Sequence, residues 1–404
     1  MFVRLKTIVL IAGATAIALA SAAQAEITYK QLYAFTGNDD GANPESSLID
    51  VGGTFYGITS QGGGGEGSGL NGTGTVYKIT PSGKESVIHS FIGGSDGASP
   101  QGDLLDVGGV LYGTTSAGGG TGCGGQGCGT VFRITTDGTE SVVYAFQGGT
   151  DGANPAGGLY RVGNTLFGTT TAGGGTGCGG SGCGTVFKLA SDGSETVFYA
   201  FQGPGDGEAP IGDMILVDHA FYGITAYGGI TAGNCQSSGC GTVFKITTSG
   251  QESVLYAFKG GTDGRGPRGG LADVGGAFYG VTFSGGANSA GTVYEVTPSG
   301  QESVLHTFGD GSDGQYPVSQ LLDIGGTLYG TTTWGGTACR SCGTVYSITP
   351  SGQETVLYSF LGPQDADNAE DPVGRLLKYG PYLYGAASAG GSVYFGGAVY
   401  RITP

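Results

Sequence analysis

A unit of about 54 residues recurs along the 404-residue chain, and it constrains the fold more than any other feature. The unit is clearest from Gly102 to Asp151. It holds an apolar run (Leu104-Leu105-Asp106-Val107), Gly108-Gly109, then Leu111-Tyr112-Gly113-Thr114-Thr115 and a glycine-rich loop. Gly129-Thr130-Val131-Phe132-Arg133-Ile134 follows, then a Thr-Asp-Gly turn and Glu140-Ser141-Val142-Val143-Tyr144-Ala145-Phe146. Three landmarks each count to seven copies. The glycine of a Tyr-Gly or Phe-Gly pair falls at 57, 113, 168, 223, 280, 330 and 385. Gly-Thr-Val starts at 74, 129, 184, 241, 291 and 343, with Gly397-Ala398-Val399 as its seventh form, and a closing Phe falls at 35, 91, 146, 201, 258, 308 and 360.

Each copy offers four short runs of β-branched and aromatic residues bounded by turn residues, hence four strands, A to D. Val-Gly-Gly joins A to B (Val107-Gly108-Gly109), and Pro-Ser-Gly or Asp-Gly joins C to D (Pro81-Ser82-Gly83, Asp137-Gly138). These turns supply the positive φ that tight hairpins require. Strand D is apolar on both faces: Val254, Tyr256 and Phe258 alternate with Leu255 and Ala257. A strand of that kind is covered on both sides, as between stacked sheets. The expected fold is all-β, a seven-bladed β-propeller with four antiparallel strands per blade. A lone D strand near residues 27–35 pairs with a lone C strand at 397–404 to close the ring. Glycine is abundant, at 89 residues, but it follows this long period, and with 12% charged residues the chain is not composed like a disordered one.

Residues 1–25 read as a cleaved signal peptide, leaving residues 26–404 as one domain. Arg4 and Lys6 give the positive start, Thr7 to Ala20 is uncharged, and Ala23-Gln24-Ala25 supplies the cleavage pattern. The expected product is secreted or lies in the periplasm or cell envelope, without a membrane anchor, since the chain reaches Pro404 with no sorting tail. The net charge is −16, with 16 basic and 32 acidic residues. That balance disfavours nucleic acid and anionic membrane surfaces as partners.

The units Leu-Tyr-Gly-Thr-Thr, Gly-Thr-Val-Tyr-Lys-Ile-Thr-Pro-Ser-Gly, Ser-Val-Leu-Tyr-Ala-Phe and Asp-Gly-x-x-Pro resemble the bacterial GloVer tandem repeat. The order of elements is also similar, distantly, to kelch-type blades. The resemblance covers the whole expected mature chain and implies an exported protein. It carries no catalytic residues, activity or cofactor with it.

In such a meander the short A–B and C–D turns share one side, and the long B–C and D–A loops share the other. The second side is the expected working face. All eight cysteines lie in B–C loops as local pairs: Cys123 with Cys128, Cys178 with Cys183, Cys235 with Cys240, and Cys339 with Cys342. An even count with an export signal points to four disulfides. A Cys₄ zinc site from repeats 2 and 3 is the alternative, and Cys339 to Cys342 has redox spacing without the helix that activates such a thiol. Asp40, Asp96, Asp151, Asp206, Asp263 and Asp313 recur before Gly in the D–A loops. They read as turn formers rather than a calcium ring, and only the stretch holding Asp365, Asp367, Glu370 and Asp371 has the local oxygen density for Ca²⁺. His89 and His306 occupy a strand-D column that is Tyr144, Tyr199, Tyr256 and Tyr358 elsewhere, so they read as core substitutions. His219 sits in an A–B turn, and no Ser-His-Asp set is apparent.

Scaffold residues recur, so departures from the repeat are the candidates for recognition. Tyr227 and Trp334 stand where other B–C loops mostly have small residues, and Phe283 does so one position earlier in repeat 5. Arg265, Arg268 and Tyr316 in D–A segments and Arg340 in a B–C loop complete the set. Aromatic platforms with Arg forks suit sugars, uronates or acidic peptides; the competing reading is that these rings only cover neighbouring blades. The expected function is non-catalytic binding of an extracellular glycan or protein. The alternatives are a polysaccharide hydrolase or lyase using D–A carboxylates, and a structural envelope protein.

Overall fold

Turn chemistry and strand patterning lead directly to the strand order. In the computed structural model, which describes residues 27–64, 72–235, 237–309, 311–337, 339–362, 369–391 and 396–404, the molecule is all-β. The expected leader at 1–25, and Asp365 and Asp367, lie outside the described residues. Repeat 2 is representative: Ala98–Val107, Val110–Ala117, Thr130–Thr135 and Glu140–Ala145 pair antiparallel in chain order. In repeat 1 strand A is split, and Ala42–Pro44 and Ile49–Val51 both pair with Thr54–Gln61. Repeats 4 and 5 join into one eight-stranded sheet through a single parallel bridge, Asp213 to Gly270. Tyr29–Ala34 pairs with Ala398–Ile402, so the first described strand lies in a sheet with the last three described. Among the described residues helix is confined to three-residue turns such as Cys123–Gly125, and none is long and apolar enough to cross a membrane.

The core sits between sheets, as a strand with two apolar faces requires. One cluster joins Tyr56, Ile58, Val76 and Phe91 of repeat 1 to Leu104, Leu111, Phe132 and Ile134 of repeat 2. Another joins Phe35, Tyr384 and Val399 from the chain ends to Leu48, Phe55 and Tyr77 of repeat 1. The recurring Tyr-Gly pair has a packing cause. A Cβ on Gly113 would lie 2.5 Å from the Phe132 ring, so the aromatic residue of strand C needs a glycine opposite it.

Two further features position functional groups. Strand D carries a register shift against strand C in each repeat, for example between Val142 and Tyr144. Such a bulge re-aims the side chains beyond it, here toward the next sheet. The A strands of successive repeats also approach closely. Gly212 has φ +67°, and a Cβ there would lie 2.8 Å from the Gly269 backbone, so only glycine permits this contact.

Candidate functional site

Because the A strands meet at their middles, the side chains beside the contact line a single cavity of about 480 Å³. Every repeat contributes. The residue after the strand-A Pro supplies Glu45, Gln101, Ala156, Ile211, Arg268, Val318 and Val373. The residue two further on supplies Ser47, Asp103, Asp213, Gln320 and Arg375.

Most of this second set also latch one repeat to the one before. Asp103 accepts the Ser47 N–H at 2.7 Å, and Asp213 accepts the Gly158 N–H at 2.7 Å. Ser47 Oγ accepts the Arg375 N–H at 2.7 Å, and the Gln320 amide donates to the Leu271 carbonyl at 2.8 Å. Burial pushes the Asp213 carboxyl up to about 7; the charge of Asp103 adds to this, while the Gly158 N–H and Arg375 oppose it. Glu45 is likewise raised by burial, against hydrogen bonds from Asn43 at 2.6 Å and Gln101 at 2.8 Å.

At the cavity rim the chain departs most from its repeat. Phe283 lines the cavity at the end of strand B, where repeats 6 and 7 place Thr333 and Ser388. The Arg268 guanidinium lies 5.8 Å from the Phe283 ring centroid. Tyr316 stacks on Phe283 at 4.9 Å, and Trp334 meets Tyr316 edge-on at 5.3 Å. Phe283 and Trp334 nonetheless keep 37% and 46% of their surface in solvent. The result is a continuous aromatic surface leading from the outer loop into the cavity.

Tyr316 is held there at a cost. Its backbone is left-handed, with φ 57°, at a position where the other repeats are also left-handed: Asn43, Ser99, Asn154, Ala209, Gly266 and Asp371. Asn and Gly enter that region readily, whereas a bulky aromatic pays on the order of 1–2 kcal/mol. Tyr316 is the one aromatic among the seven copies of this left-handed position, which makes it a candidate for function.

Four of the seven residues singled out from the sequence therefore come together: Arg268, Phe283, Tyr316 and Trp334. The other three do not join them. Arg340 shares a separate hollow of about 250 Å³ with the outer side of Trp334 and Gln315. Arg265 lines a third, of about 300 Å³, with Asn234, Ser284 and Ser289. Tyr227 is exposed in repeat 4, away from the cluster. The reading of Phe283 as a cover is partly right, since it packs on the A strand of the next repeat.

The four cysteine pairs are disulfides: Cys123 bonds to Cys128, Cys178 to Cys183, Cys235 to Cys240 and Cys339 to Cys342. No cysteine among them is free, so a Cys₄ zinc site is not formed. Their burial is uneven. Cys128, Cys183, Cys240 and Cys342, the second member of each pair, are fully buried at the start of strand C and belong to the apolar clusters between sheets. The disulfides are therefore anchors that tie each B–C loop to the core, and these four cysteines are not accessible groups of the working face.

The D–A acids behave as turn formers. Asp151 accepts the Gln147 N–H at 2.8 Å and the Tyr144 hydroxyl at 2.9 Å, and Asp40 does the same with Thr36 and Tyr33. Each of these acids meets a Glu from the start of the next strand D. Glu85, Glu140, Glu195, Glu252, Glu302 and Glu354 are each pushed up to about 7, mainly by burial. His89 and His306 belong to these half-buried seams rather than to the apolar core, lying 3.3 Å from Asp96 and Asp313. Glu370 is buried and Asp371 half-buried, and burial raises both carboxyls.

The sequence reading missed Glu45, Asp103, Asp213 and Arg375. Their signal was present: the position three after the Pro reads Ser47, Asp103, Gly158, Asp213, Gly270, Gln320 and Arg375, a highly variable column.

The family model described as Gloeobacter/Verrucomicrobia repeat matches residues 18–181, 65–234 and 229–404. No curated protein matches the sequence. Among solved structures, a luciferin-regenerating enzyme is similar at 12% identity and a TM-score of 0.46, over 94% of this chain and 95% of that one. A neuraminidase-like protein of A/flat-faced bat/Peru is similar at 11% identity and a TM-score of 0.45, over 94% of each chain. A gluconolactonase from Xanthomonas campestris is similar at 12% identity and a TM-score of 0.39, over 68% of this chain and 78% of that one.

Proposed function

The chain belongs to the Gloeobacter/Verrucomicrobia repeat family, and we propose that it is an exported seven-bladed β-propeller that binds an extracellular glycan without cleaving it. The ring draws support from three observations: each repeat sends strand A to one cavity, apolar clusters join consecutive repeats, and the terminal strands pair. Export draws support from the sequence of residues 1–25 and from four disulfides, which persist in oxidising compartments.

The observation that carries the binding reading is the exposed Phe283–Tyr316–Trp334 surface at the cavity rim. Aromatic faces receive the C–H faces of sugar rings. Arg268 at the rim and Arg375 deeper in the cavity add forked donors for a carboxylate or hydroxyl pair. A cavity of this volume falls within the usual range for ligand sites, large enough for a chain end. The hydrolase reading loses support because the D–A carboxylates are occupied in their seams by tyrosine hydroxyls and backbone N–H groups.

The test is affinity electrophoresis of the purified chain in gels containing neutral or uronate-rich polysaccharides, with reducing ends assayed in parallel. Retardation by at least one polysaccharide, reduced in Phe283→Ala and without new reducing ends, is expected. New reducing ends would favour the hydrolase. No retardation by any glycan would favour a protein ligand or an envelope-scaffold role.

A further inference from the structure

The seams between repeats share one design, and two of them break it in the same way. At four seams a tyrosine hydroxyl donates to the D–A Asp: Tyr33 to Asp40, Tyr144 to Asp151, Tyr199 to Asp206 and Tyr256 to Asp263. At two seams the tyrosine is replaced by His89 or His306. In these seams the phenol acts as a donor to the acid, whereas a neutral imidazole presents a basic nitrogen lone pair, the commoner metal ligand.

We propose that His89, Asp96 and Glu140 form a binding site for a divalent transition-metal ion, with zinc the best match. One ligand atom from each residue lies within 4.8 Å of the other two, the one such group among the described residues. The atoms are available to a metal. His89 Nε2 lies 3.3 Å from Asp96 Oδ1 but outside hydrogen-bond geometry, and both Nε2 and Glu140 Oε1 are buried without a hydrogen-bond partner. Asp96 uses its other oxygen to accept the Ile92 N–H at 2.8 Å, which fixes the carboxylate and leaves Oδ1 toward the imidazole. Phe91 braces the imidazole edge-on at 4.8 Å.

The charges also fit. Two carboxylates and a neutral imidazole balance a 2+ ion. One nitrogen and two oxygens, with water as the fourth ligand, make an accepted zinc set. The ligand atoms need only draw in to roughly 3.3 Å apart, the tetrahedral spacing for bonds of about 2.0 Å. Half-buried side chains at a loop can make that movement. The ion would tie strand D of repeat 1 to strand D of repeat 2, a clamp that the tyrosine seams lack.

The test uses the full chain, disulfides intact, untagged and stripped of metal with a chelator. Zinc chloride is titrated by calorimetry and the thermal midpoint is read with and without zinc. One equivalent bound, with a higher midpoint, is expected. His89→Tyr installs the residue of the other seams, so the variant folds; it is expected to lose both effects. His219→Ala and His306→Tyr are expected to keep them. Cobalt in place of zinc is expected to give tetrahedral visible absorption that His89→Tyr abolishes. No zinc bound by the wild-type chain, or equal binding by His89→Tyr, would overturn the assignment.

Discussion

The seams and the cavity rim are built by the same stretch of each repeat, the D–A loop with the start of strand A, yet their residues follow opposite rules. At the seam that joins repeats 2 and 3, Tyr144, Asp151 and Glu195 repeat a pattern found at several other seams, with the Tyr144 hydroxyl donating to Asp151 and Glu195 raised by burial beside them. At the rim between repeats 5 and 6, Tyr316 keeps a left-handed backbone that suits Asn or Gly, and Phe283 and Trp334 stay exposed. The seam gains stability from repetition. The rim places a bulky aromatic at a left-handed position, and recognition is expected to reside there. Variants that separate stability from binding break or sharpen this contrast.

The largest effect is expected where the backbones themselves touch. Gly212→Val places side-chain atoms into the Gly269 backbone and forces a β-branched residue to φ +67°. A loss of more than about 4 kcal/mol is expected, seen as little soluble protein and a collapsed near-ultraviolet spectrum. Next in size is the seam. Asp151→Ala removes the acceptor for Gln147 N–H and Tyr144 hydroxyl and is expected to cost about 2–4 kcal/mol in urea unfolding. Glycan retardation should be unchanged, because the rim lies between other repeats.

A moderate effect is expected from pH. The six seam Glu residues sit at about 7 in the folded chain, above the ordinary value of 4.5. The folded state therefore binds more protons between those limits, and stability is full below about 4.5 and falls as pH rises toward 7. The thermal midpoint at pH 5 is expected to exceed that at pH 7.5. Glu195→Gln with Glu252→Gln, neutral at every pH, should shrink the drop. An unchanged drop would mean that burial does not hold these acids protonated.

The smallest effect on stability, and the most informative, comes from Tyr316→Asn. Loss of a packed aromatic ordinarily costs several kcal/mol. Tyr316 is only half-buried, so its ring contacts are worth less, and relief of about 1–2 kcal/mol of left-handed strain offsets much of their loss; the net change is expected to stay within about 1 kcal/mol. Glycan binding is expected to weaken at least about tenfold, or roughly 1.4 kcal/mol.

Much of the scaffold was legible because the repeat prints the same turn and strand chemistry again and again. Val-Gly-Gly, Asp-Gly and Gly-Thr-Val marked the four strands. Local pairing of Cys123 with Cys128, repeated as Cys178 with Cys183 and Cys235 with Cys240, marked the disulfides, although not the burial of their second sulfurs. The rim was half legible, since Phe283, Trp334 and Tyr316 break the repeat visibly. The cavity was not. Asp103, Asp213 and Arg375 follow a register shift in strand A, such as that between Gln101 and Leu105, which hides the face to which they belong. The buried seam Glu residues were also hidden: Glu85 or Glu302 beside Ser reads as an ordinary exposed strand start. Their burial comes from the next sheet, a contact that no local pattern reports.

The central claim, that the rim between repeats 5 and 6 is the binding surface, is tested most directly by the emission of Trp334, the single tryptophan of the chain. A glycan that retards the protein is titrated while that emission is followed. The account predicts a saturable change that is weakened in Arg268→Ala and Tyr316→Asn and preserved in Lys84→Ala on the opposite face. A glycan that binds tightly while leaving Trp334 emission unchanged would contradict it.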